Sequence, residues 1–414
     1  MKKIKIANGQ GFWGDSIDAP VKLIKSGEID YLTLDYLAEV TMSIMQRQKL
    51  KNPKMGYARD FVKLIEENID DIINNNIKII ANAGGVNPKA CSEEIIEICK
   101  KKNIDLKIGI IEGDDIFPNI DNLISAGAEF KNMDTGEDFS DIRNKLYSAN
   151  VYIDSFNVSK ALDMGAQIVL SGRVTDPGLA LGPMIHEFKW SKNDYDFLAG
   201  GTLAGHIIEC GAQCTGGNFT NWENVPDLAN IGYPIIEIDK KSKFSVYKLK
   251  NTGGIINRES VSEQILYEMG DPKNYISPDV KVDFTSFEIN DNNDDSVSID
   301  SVNGYPPTDT FKVSISYFAG YKATGQLTIS GPKAIEKAIL TADIIFTRLK
   351  NAGYTYEDTK TELLGLNSCH LDIVNVNDET NEVVLRLSVK DSNKDKVNRF
   401  GMEIAPVITS GPPG

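Results

Sequence analysis

The sequence predicts an α/β fold, a largely parallel sheet with flanking helices, followed by a second α+β domain with antiparallel strands. Three observations predict it. Up to about residue 232, short β-branched runs alternate with helical patterns of about ten to fifteen residues, which is how strands of a parallel sheet are connected. Several of those runs end in glycine-rich turns. Beyond residue 233 closely spaced, alternating strands take over. The domains are therefore placed at 1–232 and 233–414.

In order, KIKIAN (3–8) reads as a strand. Residues 16–27 read as a helix opening on Ser16 and closing on Gly27, and YLTLDY (31–36) as the second strand. Amphipathic helices follow at 38–50 and 58–75, then a strand at 77–84, a helix at 88–103 and a strand at 106–113. A helix near 118–126, an acidic loop over 129–141, a helix near 157–164 and the strand QIVLSG (167–172) complete the first half. The arrangement is Rossmann-like, and in such sheets ligands sit beyond the strand C-termini. The second half reads as strands at 233–238, 243–249, 280–289, 295–302, 311–321 and 325–330, with a solvated acidic turn at 289–296. A long helix (332–353), a strand (383–390) and an extended tail (405–414) close the chain.

A net charge of −15 argues against nucleic acid and against an anionic membrane surface as partners. No apolar run reaches the roughly 18 residues of a membrane span. The lysines of the N-terminus are not followed by the apolar stretch of a signal peptide. Five irregularly spaced cysteines suit reduced thiols better than a disulfide frame, so a cytoplasmic protein is expected.

Three glycine-rich turns lie at strand ends. The first, Gly9-Gln10-Gly11-Phe12-Trp13-Gly14, has the form of a dinucleotide loop, and Asp35 stands about 20 residues on, where a ribose-binding acid would be. Bulky Phe12 and Trp13, with the charge on Asp15, favour a different reading, a turn at the mouth of a pocket. The second, ANAGGVNP (81–88), offers Asn82, Gly84, Gly85 and Asn87 as a cradle for a carboxylate, or Asn87 as a plain helix cap. The third, SGRVTDPG (171–178), places Arg173 to fork onto a carboxylate or phosphate, or to pair with Asp176 one turn away. Glu39, after the second strand, is a further acid near these turns, or simply a helix-start acid.

Residues 198–222 concentrate scarce side chains. Of three histidines and five cysteines, His206, Cys210 and Cys214 fall here at spacings of four, with Glu209 beside them. A continuous helix would stack the three on one stripe. Zinc lacks a third local ligand, so no metal is assigned; Cys91, Cys99, Cys369 and His370 are distant in sequence, and His186 reads as packing or surface. A nucleophilic Cys210 activated by His206 is stereochemically allowed. Acid/base work by His206 and Glu209 is the preferred reading, because it needs only a pocket that moves their pKa values toward neutrality.

GQGFWGDSID, DYLTLDYLAEVTMS, GYARDF, ANAGGVNP, SGRVTDPGLALGP, AGHIIECGAQCTGGNF and GYPIIEI, in this order, resemble the acyclic terpene utilisation (AtuA) family. The resemblance runs from about residue 4 to the terminal SGPPG. It implies that Gly11, Gly14, Asp15, Asn82, Gly84, Gly85, Arg173, Asp176, His206, Glu209 and Gln213 belong to one site. It also implies work on branched acyl-CoA compounds or related carboxylic acids, and a small partner subunit. Relatives vary at Cys214, against a dithiol mechanism.

The expectation is a lyase or hydratase acting on a branched or unsaturated carboxylic acid or its acyl-CoA thioester. No cofactor is assigned, with coenzyme A entering only as part of the substrate. Arg173 and the ANAGG turn would hold and polarise the carbonyl oxygen, while His206 and Glu209 move protons. Thioester transfer or hydrolysis through Cys210 is the alternative, and a noncatalytic subunit of an acyl-CoA complex a third. A homo-oligomer is expected.

Overall fold

The computed structural model describes residues 2–292, 294–366, 368–370, 373 and 380–414. Contacts divide the chain into two units, Met1–Tyr317 and Phe318–Gly414.

The first unit contains the strands β1 (Lys3–Asn8), β2 (Tyr31–Leu34), β3 (Lys78–Ala81), β4 (Ile108–Ile111), β5 (Leu146–Val151), β6 (Ile168–Ser171), β7 (Pro234–Asp239) and β8 (Phe244–Lys248). It continues with β9 (Tyr275–Ile276), β10 (Lys281–Asp283), β11 (Glu288–Asn292), β12 (Ser296–Asp300), β13 (Asn303–Tyr305) and β14 (Val313–Tyr317). Nine of these form one sheet in the order β11-β12-β8-β7-β1-β2-β3-β6-β4. The five strands from β1 to β4 in that order run parallel, and the other four are antiparallel additions. Mixed α/β is therefore the class, but the parallel order 1-2-3-6-4 is not the 3-2-1-4-5-6 order of dinucleotide folds.

Both faces of the central parallel strands are covered, which is why β2, β3 and β6 are nearly continuous buried runs. By contrast, β1 alternates Lys with Ile at its start and β4 lies at the sheet edge. On one face Ile4, Ile6, Ile80 and Val169 pack against the helices Phe156–Asp163, Gly178–Phe188 and Tyr195–Glu209. On the other Leu32, Leu34, Ile79 and Ile168 meet the helices Asp18–Ser26, Arg59–Asn74 and Pro88–Lys102. The helix Arg59–Asn74 shows how the sequence builds this layer: Phe61, Leu64, Ile65, Ile69 and Ile72 repeat at helical spacing, and all are buried. Each such side chain contributes about 1.5–3 kcal/mol by leaving water.

The domain boundary expected at residue 232 does not separate the units. Strand β7 pairs antiparallel with β1, from Lys3↔Asp239 to Ala7↔Ile235, and buries Ile235, Ile236 and Ile238 against the first-half core. An apolar edge strand gains more by completing an existing sheet than by starting a new one. Two expected strands are also each broken in two. Over 280–289 the Asp283 carboxylate accepts from the backbone N–H of Thr285 and turns the chain between β10 and β11. Over 311–321, β14 ends at Tyr317, and Gly320 takes a φ of 108° before the next strand begins. Strand β14 pairs with β5, a strand that sequence patterning did not identify. The acidic 289–296 segment is the β11–β12 hairpin rather than a free turn, with Asn293 outside the described residues.

The second unit is a three-stranded antiparallel sheet of β15 (Tyr321–Ser330), β16 (Asp358–Leu364) and β17 (Glu382–Asp391), in the order β15-β17-β16. The helices Ala334–Asn351 and Lys394–Ile404 cover one face, burying Ile345, Leu385, Leu387 and Phe400. Arg386 forks onto Glu362 on the other face, at 2.8 and 2.9 Å. The tail, expected to be extended, forms a helical turn over Val407–Ser410.

Candidate functional site

The helix Tyr195–Glu209 ends where the sequence suggested that it continues. Cys210 is its C-cap, Gly211 takes a φ of 59°, and a tighter 3-10 turn follows over Gly211–Thr215. His206, Cys210 and Cys214 therefore do not stack on one stripe. His206 and Glu209 remain on the last helical turn, and their geometry is the centre of the site.

His206 is buried against the rings of Tyr275 and Phe284. Its Nε2 lies 3.2 Å from the Ile265 carbonyl oxygen, which only accepts, so Nε2 carries a hydrogen. Its Nδ1 lies 2.8 Å from Glu209 Oε1. That contact needs one proton, either on the imidazole facing a carboxylate or on the carboxyl facing a neutral imidazole. Burial pushes Glu209 up to about 7, against the pull of His206 and with the help of the Asp176 charge. Burial opposes charge on His206 as well, yet the Glu209 charge and hydrogen bond hold its pKa above the ordinary value. The contact is bridged by one proton shared between the two groups, which titrate as a coupled pair. Glu209 Oε2 is buried and has no hydrogen-bond partner among the described residues.

The end of β1 and the turn after it stand beside this pair. Asn8, at the end of β1, donates through Nδ2 to the carbonyls of Ile208 and Glu209, 2.7 Å each. Gly11 lies against the helix end so closely that a Cβ there would stand 2.7 Å from the Cys210 carbonyl carbon. The Gly11 N–H donates to Asp15 Oδ2 at 2.9 Å, and Tyr233 donates its hydroxyl to Asp15 Oδ1 at 2.5 Å. The turn thus spends a donor on its own acid, the donor a pyrophosphate would need. Gly9 packs on Pro20 and Leu32, and Gly14 takes a φ of 112° with only Phe12 near it.

Asp35, expected at a ribose, faces the protein instead. Its Oδ1 accepts from Asn82 Nδ2 at 2.6 Å and from the Leu37 N–H at 3.1 Å. Asn82 in turn accepts from the Tyr36 N–H at 2.6 Å. Burial, and then the charge of Asp176, push the Asp35 carboxyl well above the usual range, despite the nearby Arg173. Arg173 is buried; its Nη1 donates to the Leu37 carbonyl at 2.6 Å and lies 2.7 Å from Asp176 Oδ1, an ion pair too oblique to be a hydrogen bond. Its guanidinium also stacks on the Tyr152 ring at 4.2 Å, while its Nε has no hydrogen-bond partner among the described residues.

The ANAGG turn is used differently from the cradle expected of it. A Cβ on Gly84 would meet Pro88 and the Ser171 carbonyl oxygen, and one on Gly85 would meet Met45 and the Gly56 oxygen, so both glycines serve close packing. Asn87 occupies the N-cap position but makes no side-chain cap. Its Nδ2 donates to the carbonyls of Pro53 and Met55 instead, holding that loop. Gln213 is partly exposed on the 3-10 turn. The Cys210 thiol is pushed up by burial and then by the Glu209 charge, which opposes thiolate formation. Cys214 is buried and raised by that burial. All five cysteines are unpaired. Among the described residues no group of three or more His, Cys, Asp and Glu side chains is arranged to hold a metal.

Several participants were beyond sequence reasoning. Ile265, Tyr275 and Phe284 come from the segment expected in another domain, and Gln264 donates to the His206 carbonyl at 3.1 Å. Tyr152 donates to Glu39 Oε1 at 2.5 Å, and Lys312 approaches the same oxygen at 3.4 Å. Against burial, the Tyr152 hydroxyl and the Lys312 and Arg173 charges hold Glu39 down to about 2. Tyr152 and Lys312 border a cavity of about 1040 Å³.

Among the described residues no helix is long and apolar enough to cross a membrane. No curated protein and no solved structure matches the chain. The model of the acyclic terpene utilisation family protein AtuA matches residues 4–414, nearly the whole sequence, and the chain belongs to that family.

Proposed function

We propose that the protein is an acid/base enzyme of the lyase type, a hydratase acting on a branched or unsaturated carboxylic acid or its acyl-CoA thioester. The observation that carries this reading is the buried His206–Glu209 pair with its single shared proton and its unpartnered Oε2. A carboxyl poised near 7 suits both removal and return of a proton at neutral pH. In hydration, Glu209 Oε2 takes a proton from water as the water oxygen bonds to the unsaturated carbon. The same carboxyl returns the proton to the neighbouring carbon, so one water is added and the pair is restored. The unpartnered Nε of Arg173 is the donor available to polarise a carbonyl oxygen.

The surrounding charges select between the two substrate forms. Arg173 is the one cation here, and its Nη1 is already committed to Leu37 and Asp176, so no free positive charge is left for a ligand carboxylate. A neutral thioester carbonyl is favoured there over a free carboxylate. The name of the family, acyclic terpene utilisation, is in keeping with branched aliphatic acyl groups. Reduced cysteines support a cytoplasmic setting. The proposal includes a homo-oligomer and a small partner subunit, to be measured by sedimentation with and without the candidate partner. Thioester chemistry through Cys210 is disfavoured: its thiol is held protonated, and both nitrogens of His206 are engaged elsewhere.

The test is a panel of branched 2-enoyl thioesters, followed by loss of the enoyl absorbance. His206→Ala should lower turnover by about 10²- to 10⁴-fold while leaving the fold intact. Full activity in that variant would sink the assignment.

A further inference from the structure

The acid/base pair does not use the cavity beside Tyr152, which lies in the first unit between the 116–145 segment and the β5–β14 pair. Its volume of about 1040 Å³ is that of a metabolite-binding chamber. Leu123, Phe130, Phe139, Ile142, Val313 and Ile315 form an apolar lining continuous with a small core of their own. Six carboxylates and three lysines also line it, so its field is negative overall.

Polar contacts converge at one end. Tyr152 is held between two cations, with the Arg173 guanidinium 4.2 Å and the Lys312 ammonium 4.8 Å from its ring centroid. Its hydroxyl donates a hydrogen bond to Glu39 Oε1. Lys312 approaches Glu39 at 3.4 Å, and its side chain is 51% exposed, which leaves N–H donors facing outward. Because the Glu39 carboxylate already balances the Lys312 charge, this end offers a hydrogen-bond donor rather than a free positive charge. A ligand carboxylate would meet the acidic rim without compensation, whereas a neutral oxygen would accept from Lys312 at little cost.

We propose that this cavity binds the aliphatic body of a small molecule whose polar end is an uncharged carbonyl or hydroxyl oxygen, accepted at Lys312 beside Tyr152. The far face of Tyr152 carries Arg173, which pairs with Asp176, whose charge is felt by Glu209. Chamber and proton-sharing pair are therefore on two sides of one Tyr152–Arg173–Asp176 wall. The assignment deepens the acid/base reading and rests on it for the chemistry, but not for the binding.

The test is equilibrium binding to the whole chain, by ligand-observed NMR, of 2-octanone, 1-octanol and octanoate. The two neutral probes should compete for one site and bind roughly five-fold or more tighter than octanoate at low salt, a gap that narrows at about 0.5 M salt. Ile142→Arg should weaken 2-octanone by roughly ten-fold or more, and Lys312→Met should weaken it without abolishing binding. Should Ile142→Arg fail to fold, Met133→Trp, at an exposed lining position, narrows the same space. Octanoate binding as tightly as 2-octanone, or unchanged binding in the folded blocking variants, overturns the proposal. His206→Ala separates the two readings: unchanged 2-octanone binding with lost turnover supports both, and unchanged binding with full turnover overturns the acid/base reading alone.

Discussion

Glu209→Gln is the sharpest probe of the shared proton. The amide keeps the shape of the side chain, and its N–H₂ donates to His206 Nδ1 while Nε2 still donates to the Ile265 carbonyl. The fold should therefore survive with a loss of about 0.5–1.5 kcal/mol, one exchanged hydrogen bond. The titration changes far more. A carboxyl raised from its ordinary 4.5 to about 7 links roughly 3 kcal/mol of stability to pH, at about 1.4 kcal/mol per unit. Because the folded pKa is the higher, the contribution is fully present below about pH 4.5 and is lost as pH rises to about 7. His206, also raised, loses its share in the same direction above its unfolded value near 6.5. All three tryptophans, Trp13, Trp190 and Trp222, lie in the first unit, so denaturant titrations followed by their fluorescence report on the unit that holds the pair. The stability advantage of the natural chain over Glu209→Gln should be larger at about pH 5 than at about pH 8, by roughly 3 kcal/mol. A difference that is the same at both pH values refutes the shared proton.

Three further outcomes follow from the same contacts. Arg173→Met strands Asp176 without its cation, and should cost about 3–5 kcal/mol in denaturant titration; a loss under about 1 kcal/mol would refute a stabilising role for this buried ion pair. Gly11→Ala drives a methyl into the backbone of Cys210 and should cost about 1–3 kcal/mol, with a lower melting temperature and reduced turnover. Cys210→Ser should retain most activity, and iodoacetamide should label Cys210 slowly at neutral pH, mass spectrometry of the labelled chain being the check; rapid labelling with loss of activity would revive the thiol reading.

The parallel half of the sheet was legible because its strands are local signals. YLTL and KIIA are largely apolar runs and KIKIAN alternates Lys with Ile, each with punctuation at its end, and period and punctuation are properties of neighbouring residues. That the turns after β1, β3 and β6 lie at one edge of the sheet followed from the rule that loops at parallel strand C-termini share it, whereas the grouping of His206 and Glu209 with them came only from the family resemblance. Roles within that edge did not follow. Whether Gly11 meets a phosphate or the end of a helix depends on Cys210, about 200 residues on, and no local pattern records that approach. The His206–Ile265 contact was hidden for the same reason, and the domain boundary failed because β7 reads as the start of a new sheet until its partner is known. The end of the helix at Glu209 was concealed by Gly211, one glycine among many in that stretch.

The pairing of β1 with β7 has a consequence for how the protein is made. Strand β1 leaves the ribosome well before its partner, which ends at Asp239, and the His206 ring must wait for the carbonyl of Ile265. At roughly 5–20 residues per second, the outer edge of β1 is without its neighbour for on the order of ten to fifty seconds. During that interval Ile4 and Ile6 sit on an open, apolar strand border that invites pairing with another nascent chain. Lys2, Lys3 and Lys5, interleaved with those isoleucines, are the charges that guard it until synthesis reaches the strand that closes it.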